Sequence, residues 1–356
     1  MDPRWHKIAE VLVHYSIAVQ PGERVMIAMG GIETWSLTQA VYAACVKAGA
    51  YPQVQFLSEA LRHSLLKYGD ANQRSWLPEI EAYGMDWADV YFGLRGGGAL
   101  DLMRDIPASA LSVNQAAQGA VSALRWQKTR WCLVRVPNGA LAQSAGIDLD
   151  ALEEIFFAAC LLDYEAASLR WHEQAAQLGT AENVRIIAGA ETDLEFSVAG
   201  REWLVFDGKI NLPDGEIYTA PVNDTLNGVI HFDFPGVFGG LLLRDIRLEW
   251  RDGDLVNASA ATNEDYLWRI LETDHGASRL GEFAFGMNPY INHFCKDILY
   301  DEKIGGTIHL ALGRAYPECG GVNQSSIHWD LVKDLRRDGA VYADGLPVLQ
   351  DGKLLI

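Results

Sequence analysis

The chain has 356 residues, 49% of them hydrophobic and 21% charged, a profile that fits a globular protein with two cores and argues against a disordered one. A formal net charge of -18 without any stripe of Lys and Arg among aromatics argues against nucleic acid as a partner; such a field attracts divalent cations and free amines instead. No stretch reaches the roughly 18 apolar residues of a membrane span, the opening residues lack a leader's basic and apolar regions, and Cys45, Cys132, Cys160, Cys295 and Cys319 form no CxxC pair, so a cytoplasmic protein with reduced thiols is expected.

An amphipathic helix is predicted up to about Ala18, followed by a turn at Gln20-Pro21-Gly22-Glu23. Arg24 to Met29 reads as a strand, Gly30 and Gly31 break it, and Thr34 to Ala48 sets Leu37, Val41, Ala44 and Ala48 on one helical face. Further strands are predicted at Tyr51 to Leu57, Ala88 to Leu94 and Arg130 to Val136, with helical segments between them, the pattern of a parallel sheet flanked by helices. A long helical stretch from about Leu149 to Leu178 runs through Phe156, Phe157, Leu161 and Leu162, ends near Gly179 and holds the domain junction. The expected division is an α/β domain over residues 1–165 and a β-rich α+β domain, carrying the metal site, over residues 166–356.

Beyond Glu182 the period changes to two, in VRIIAG, TDLEFSVAG, REWLVFDGK, EIYTAP, GVIHFDF, IRLEWRDGDLVNA, EFAFG, TIHLALG and SIHWDL. One helix interrupts these short strands, from Asn263 to about Thr273, where Tyr266, Leu267, Ile270 and Leu271 keep helical spacing.

The glycine turns Ala28-Met29-Gly30-Gly31 and Arg95-Gly96-Gly97-Gly98 could cradle a phosphate, but they match neither GxGxxG nor GxxxxGK[ST], and ordinary turn glycines are the expected reading. The second half is richer. In SSIHWDL, residues two apart on a strand share a face, so His328 and Asp330 point together and could chelate one ion or simply hydrogen-bond. His309 stands mid-strand in an apolar run, where a satisfied core histidine is the plainer reading. Asp301 and Glu302 precede a Gly-Gly turn, and Glu216 and Glu282 each open a strand, positions where acids are ordinarily solvated. Taken together, two histidines and three or four carboxylates on strands of one half supply what a pair of divalent ions requires: oxygen ligands, imidazoles and a carboxylate able to bridge.

At these residues the sequence resembles the thermophilic-type metalloaminopeptidases, the peptidase family that includes aminopeptidases T and S. The likeness runs through NLPDGEIYTAP followed by NGVI, LGEFAFGMN, DEKIGGTIHLALGRAYP and SSIHWDL, with QPGERVMI and VKAGAYPQV in the first half. It implies that Glu216 binds one metal, Glu282 bridges two, His309 completes a ligand set, and His328 and Asp330 hold the other ion. It also implies a further acid at the metals in Glu302, as ligand or proton shuttle, an active-site tyrosine in Tyr316, and a homodimer enclosing its sites.

The implied activity is removal of N-terminal residues from short peptides by water activated between two divalent ions, zinc or cobalt first, manganese or magnesium next. Phe283, Phe285 and Met287 are apolar neighbours compatible with a hydrophobic first residue. Some relatives are ring-cleaving dioxygenases of dihydroxypyridine that use one iron held by two His and one Asp and lack the glutamates; Glu216 and Glu282 favour the hydrolase here. A hydrolase of a non-peptide amide would keep every ligand.

Overall fold

The computed structural model describes residues 2–97, 102–124 and 128–356. The chain forms two units: residues up to Leu162 together with Gly208–Pro213, and Asp163–Asp207 together with Asp214–Ile356.

In the first unit the apolar runs become parallel strands: β1 (Arg24–Gly30), β2 (Tyr51–Leu57), β3 (Val90–Arg95) and β4 (Arg130–Arg135). They pair in the order β2, β1, β3, β4, and the short segment Asn211–Leu212 adds alongside β4. Both faces are covered, as continuous apolar strands require: Val25 and Ile27 are buried on one side, and Met26 and Ala28 pack with Met85, Tyr91, Val121 and Leu133 on the other. The helix Trp35–Lys47 buries Leu37, Val41 and Ala44 as its spacing predicts. The expected first helix is α-helical over Arg4–Glu10 and π-helical over Val11–Ser16, ending where Ala18 turns left-handed at φ 52.

The predicted stretch from Leu149 to Leu178 is two helices, Leu149–Cys160 and Tyr164–Leu178. Asp163 is the reason: its carboxylate accepts from the Ala166 N–H and caps a new helix, as Asp148 does for the first through Ala151. The passage from one unit to the other falls at that cap.

The second unit is antiparallel and β-rich. Eight strands, from Asn183–Ala188 to Lys353–Leu354, form one sheet. Its end is built from Gly339–Ala343, Leu346–Gln350 and Lys353–Leu354, strands that the period-two reading passed over because each is short and closed by an Asp-Gly turn, with Asp344 and Asp351 both at positive φ. A second sheet of five strands runs in the order His328–Asp334, Thr307–Gly313, Leu280–Gly286, Glu216–Thr219 and Leu204–Phe206. The core lies on one face of this sheet, where Phe283 meets Phe196 of the larger sheet at 5.3 Å and Trp203 at 5.9 Å. Helix Glu264–Leu271 is the predicted interruption. Among the described residues no helix is long and apolar enough to cross a membrane.

Phe283 is fully buried at the centre of that core. Phe283→Ala is expected to lower the unfolding free energy by about 3–5 kcal/mol. Chemical denaturation followed by tryptophan fluorescence measures this.

Candidate metal centre

Alternation along antiparallel strands decides which side chains meet on the face of the five-stranded sheet opposite the core. Asp330 and Glu282 are both register partners of Ala311, and His309 is paired with Ala284, which pairs with Tyr218. His328, Asp330, His309, Glu282, Glu216 and Tyr218 therefore share one face, with small Ala311 and Ala284 leaving room between them.

Glu282 takes that face by the same alternation that sets Ala284 opposite His309, and a β-bulge stands just before it: Leu280 pairs with Leu312, a register shift that puts Leu280 on the core side. Gly281 permits the bulge, because a Cβ there would lie 2.4 Å from the Gly313 carbonyl oxygen and 2.7 Å from that of Arg314.

The residues form two groups of three whose candidate ligand atoms lie within 4.8 Å of one another: Glu216, Glu302 and His309, and Glu282, His328 and Asp330. Glu282 touches both, with Oε1 3.5 Å from His309 Nε2 and Oε2 3.3 Å from His328 Nε2. His309 Nε2 is 3.2 Å from Glu216 Oε1, and His328 Nε2 is 3.3 Å from Asp330 Oδ1. The acids that sequence position marks as ordinarily solvated are out of water: Glu216, Glu282 and Asp301 are buried. Asp301 accepts from the Cys295 N–H, a loop clip apart from the two groups.

This donor set fits divalent cations. His328 faces the Arg314 carbonyl with Nδ1 at 2.8 Å; since a carbonyl only accepts, Nδ1 carries a proton and Nε2 is the nitrogen turned to the carboxylates. His309 is fully buried, and neither of its ring nitrogens has a well-directed hydrogen bond among the described residues, although Nε2 points between two glutamates. An orphaned buried imidazole costs stability unless a further partner completes it.

The field of the cluster favours positive charge. Burial works against the imidazolium forms, yet the carboxylates push His328 up to about 11 and His309 well above the usual histidine range. Burial likewise opposes the ionised form of Glu282, but the neighbouring imidazoles of His309 and His328 hold it down at about 2. Glu302 goes the other way: burial pushes it up to about 8 despite Lys303 beside it.

Tyr316 follows the Thr307–Gly313 strand and lies edge-on to His328 at 5.2 Å and to Tyr218 at 5.7 Å. Burial, then the neighbouring carboxylates, keep its hydroxyl protonated. The apolar wall on this face consists of Tyr218, Ala220, Ala284, Ala315 and Cys319, with Phe206 and Tyr316 against them. Phe283 and Phe285, expected as apolar neighbours of the site, alternate to the opposite face and belong to the core, where Phe285 stacks on Trp203; Met287 lies just past the strand.

The model of the thermophilic metalloprotease family, M29, matches residues 1–353. The chain belongs to that family. It is a peptidase. The chain is 27% identical to aminopeptidase 2 of Geobacillus stearothermophilus over 411 aligned positions, covering 98% of each. AmpT from Thermus thermophilus shares the fold at a TM-score of 0.86 and 22% identity, over 99% of each chain. The 2,5-dihydroxypyridine dioxygenase of Pseudomonas putida KT2440 shares it more loosely, at 0.60 and 14%, over 99% of this chain and 96% of that one.

Two features of this M29 chain escape sequence reasoning. Lys303, in the turn segment DEKIGG, which the sequence does not single out, is fully buried against Glu216, Glu302 and Asp214. The glycine turns of the first unit hold the chain's own carboxylate where an anion would sit: Glu33 Oε1 accepts from the Gly97 N–H at 2.7 Å, and a Cβ on Gly31 or Gly96 would strike it. Gly98, the last glycine of that run, lies outside the described residues.

The loop carrying Tyr316 to His328 is held by Asp274, which accepts from the Ser326 N–H at 2.8 Å, the Ser326 hydroxyl at 2.7 Å and the Ser325 hydroxyl at 2.8 Å. The backbone and side-chain bonds of Ser326 lead in holding its carboxyl at about 2. A pKa depressed in the folded state stabilises above the unfolded value of about 3.9 and is lost as pH falls toward the folded one. Asp274→Asn is therefore expected to melt below wild type at neutral pH, with the gap closing between about pH 4 and pH 2. Thermal melts across that range check it.

Proposed function

We propose that the protein is an aminopeptidase that removes N-terminal residues from short peptides with two divalent cations, one among Glu216, Glu302 and His309 and the other between His328 and Asp330, with Glu282 bridging. The observation that carries this reading is Glu282 itself, whose two oxygens face the two histidines separately at 3.5 and 3.3 Å. Charge supports the count. Asp214, Glu216, Glu282, Glu302 and Asp330 with Lys303 amount to five carboxylates and one ammonium, and two divalent cations beside neutral imidazoles balance the remainder.

Mixed oxygen and nitrogen donors suit zinc or cobalt first and manganese or magnesium next. Bound there, such cations supply Lewis-acid polarisation of a carbonyl and lower the pKa of water enough to make it a nucleophile near neutral pH. The chain's residues supply the rest. Tyr316, kept protonated, can donate a hydrogen bond to the oxyanion that develops on the scissile carbonyl. His328 is oriented by the Arg314 carbonyl, and Glu302 stands where it can ligate or carry a proton toward the leaving amine.

Ring-cleaving chemistry on the shared fold would leave buried Glu216 and Glu282 without a role, which is why hydrolysis is preferred. The family resemblance supports a homodimer, and five buried cysteines without a disulfide support a cytoplasmic setting. The net charge of -18 fits small peptide substrates rather than nucleic acid.

Glu282→Gln is expected to abolish peptidase activity and lower bound metal, measured by elemental analysis beside an assay on leucine p-nitroanilide; full activity with unchanged metal would overturn the bridging role. Tyr316→Phe should reduce kcat by about 10²–10³-fold with metal content retained. Loss of metal in that variant would instead make the tyrosine structural.

A further inference from the structure

Lys303 has no part in the chemistry above, yet it is the most deeply placed cation near the site. Its side chain is fully buried and directly follows Glu302 at the end of the short helix Ile298–Asp301. Nζ pairs with Glu216 Oε2, lies 2.8 Å from Glu302 Oε1 and 3.2 Å from Asp214 Oδ1, and stands 5.2 Å from the centre of the Phe206 ring. Burial disfavours its charged form, but Glu216, Glu302 and Asp214 keep it an ammonium.

The two oxygens of Glu216 are therefore divided. Oε2 belongs to Lys303, while Oε1 lies 3.2 Å from His309 Nε2, on the side of the candidate ligand group. Glu302 also gives one oxygen, Oε1, to Lys303 while belonging to the same candidate ligand group. Asn288 builds the scaffold: its side-chain amide donates to the Asp214 carbonyl at 2.8 Å and its backbone N–H to the Lys303 carbonyl at 3.0 Å. A lysine serving only to neutralise Asp214 would not need to engage two ligand carboxylates at shorter range than its own anchor.

We propose that Lys303 is a positioning residue for the ion among Glu216, Glu302 and His309: by engaging one oxygen of each glutamate it restricts both to single-oxygen ligation and aims the remaining oxygens at the cation. Asp214 is the anchor that holds the ammonium in place. This rests on the two-cation reading of the site, and its test reads coordination rather than turnover.

The probe is Co(II), loaded into the wild type and into Lys303→Met, Lys303→Arg and Asp214→Asn variants, with the visible ligand-field absorption measured at equal bound metal. Four- and five-coordinate Co(II) absorbs more strongly than six-coordinate Co(II), so a glutamate freed to bind through both oxygens weakens the band. Lys303→Met is expected to lower the absorptivity by about twofold, Asp214→Asn to lower it less, and Lys303→Arg to restore it toward wild type. If Lys303→Met does not fold, the Asp214→Asn shift decides alone. Spectra of Lys303→Met and Asp214→Asn identical to wild type overturn the proposal, as does a Glu216→Gln variant whose Co(II) band is the same as that of the wild type. A wild type that hydrolyses no peptide but shows the Lys303 shift sinks the peptidase reading and leaves the positioning role standing.

Discussion

Five carboxylates within reach of one another, Asp214, Glu216 and Glu282 buried and Glu302 and Asp330 half-buried, are the constraint on which this site rests. Each would lose several kcal/mol on leaving water unless compensated. Compensation here comes from Lys303, fully buried among three of the acids, and from two imidazoles whose affinity for protons is raised by the same field. Such a cluster is poorly suited to stability alone, since replacing ionic groups by apolar ones of similar volume is often stabilising. Its geometry makes sense as a receptor for divalent charge.

The sheet makes the arrangement rigid. Ligand candidates on four antiparallel strands and one short turn are locked by backbone pairing, and the alternation that sends Phe283 and Phe285 into the core sends Glu282 to the opposite face. The bulge at Gly281 is the local departure from regularity, and it turns Leu280 to the core side immediately before Glu282. Around it, Asp274 fixes the loop before His328, and the Arg314 carbonyl fixes the ring, so the orientation of one imidazole depends on contacts made by several segments.

The fold itself does not choose the chemistry. This chain, a member of a metalloprotease family, and a dioxygenase share this architecture. In the first unit the same lesson appears in another form. Parallel strands with glycine turns at their ends form a natural anion cradle, but Glu33 occupies it, and what the backbone could offer to a phosphate it gives to its own chain.

The sequence by itself determined the strand and helix periods, the parallel and antiparallel halves, and the shared face of His328 and Asp330, because these follow from local alternation and apolar spacing. The family likeness also named seven candidate site residues, whose motifs are contiguous in the chain. Local pattern missed the Asp163 cap that splits a long helix, and it passed over the closing Asp-Gly hairpins because short strands carry little periodic signal. Only the tertiary structure decided that Glu216 and Glu282 are buried, that Phe283 and Phe285 face away from the site, and that Lys303 sits among the acids. The physical reason is that burial and charge pairing are sums over strands distant in sequence, and which face of a strand meets the core is decided by what packs against it.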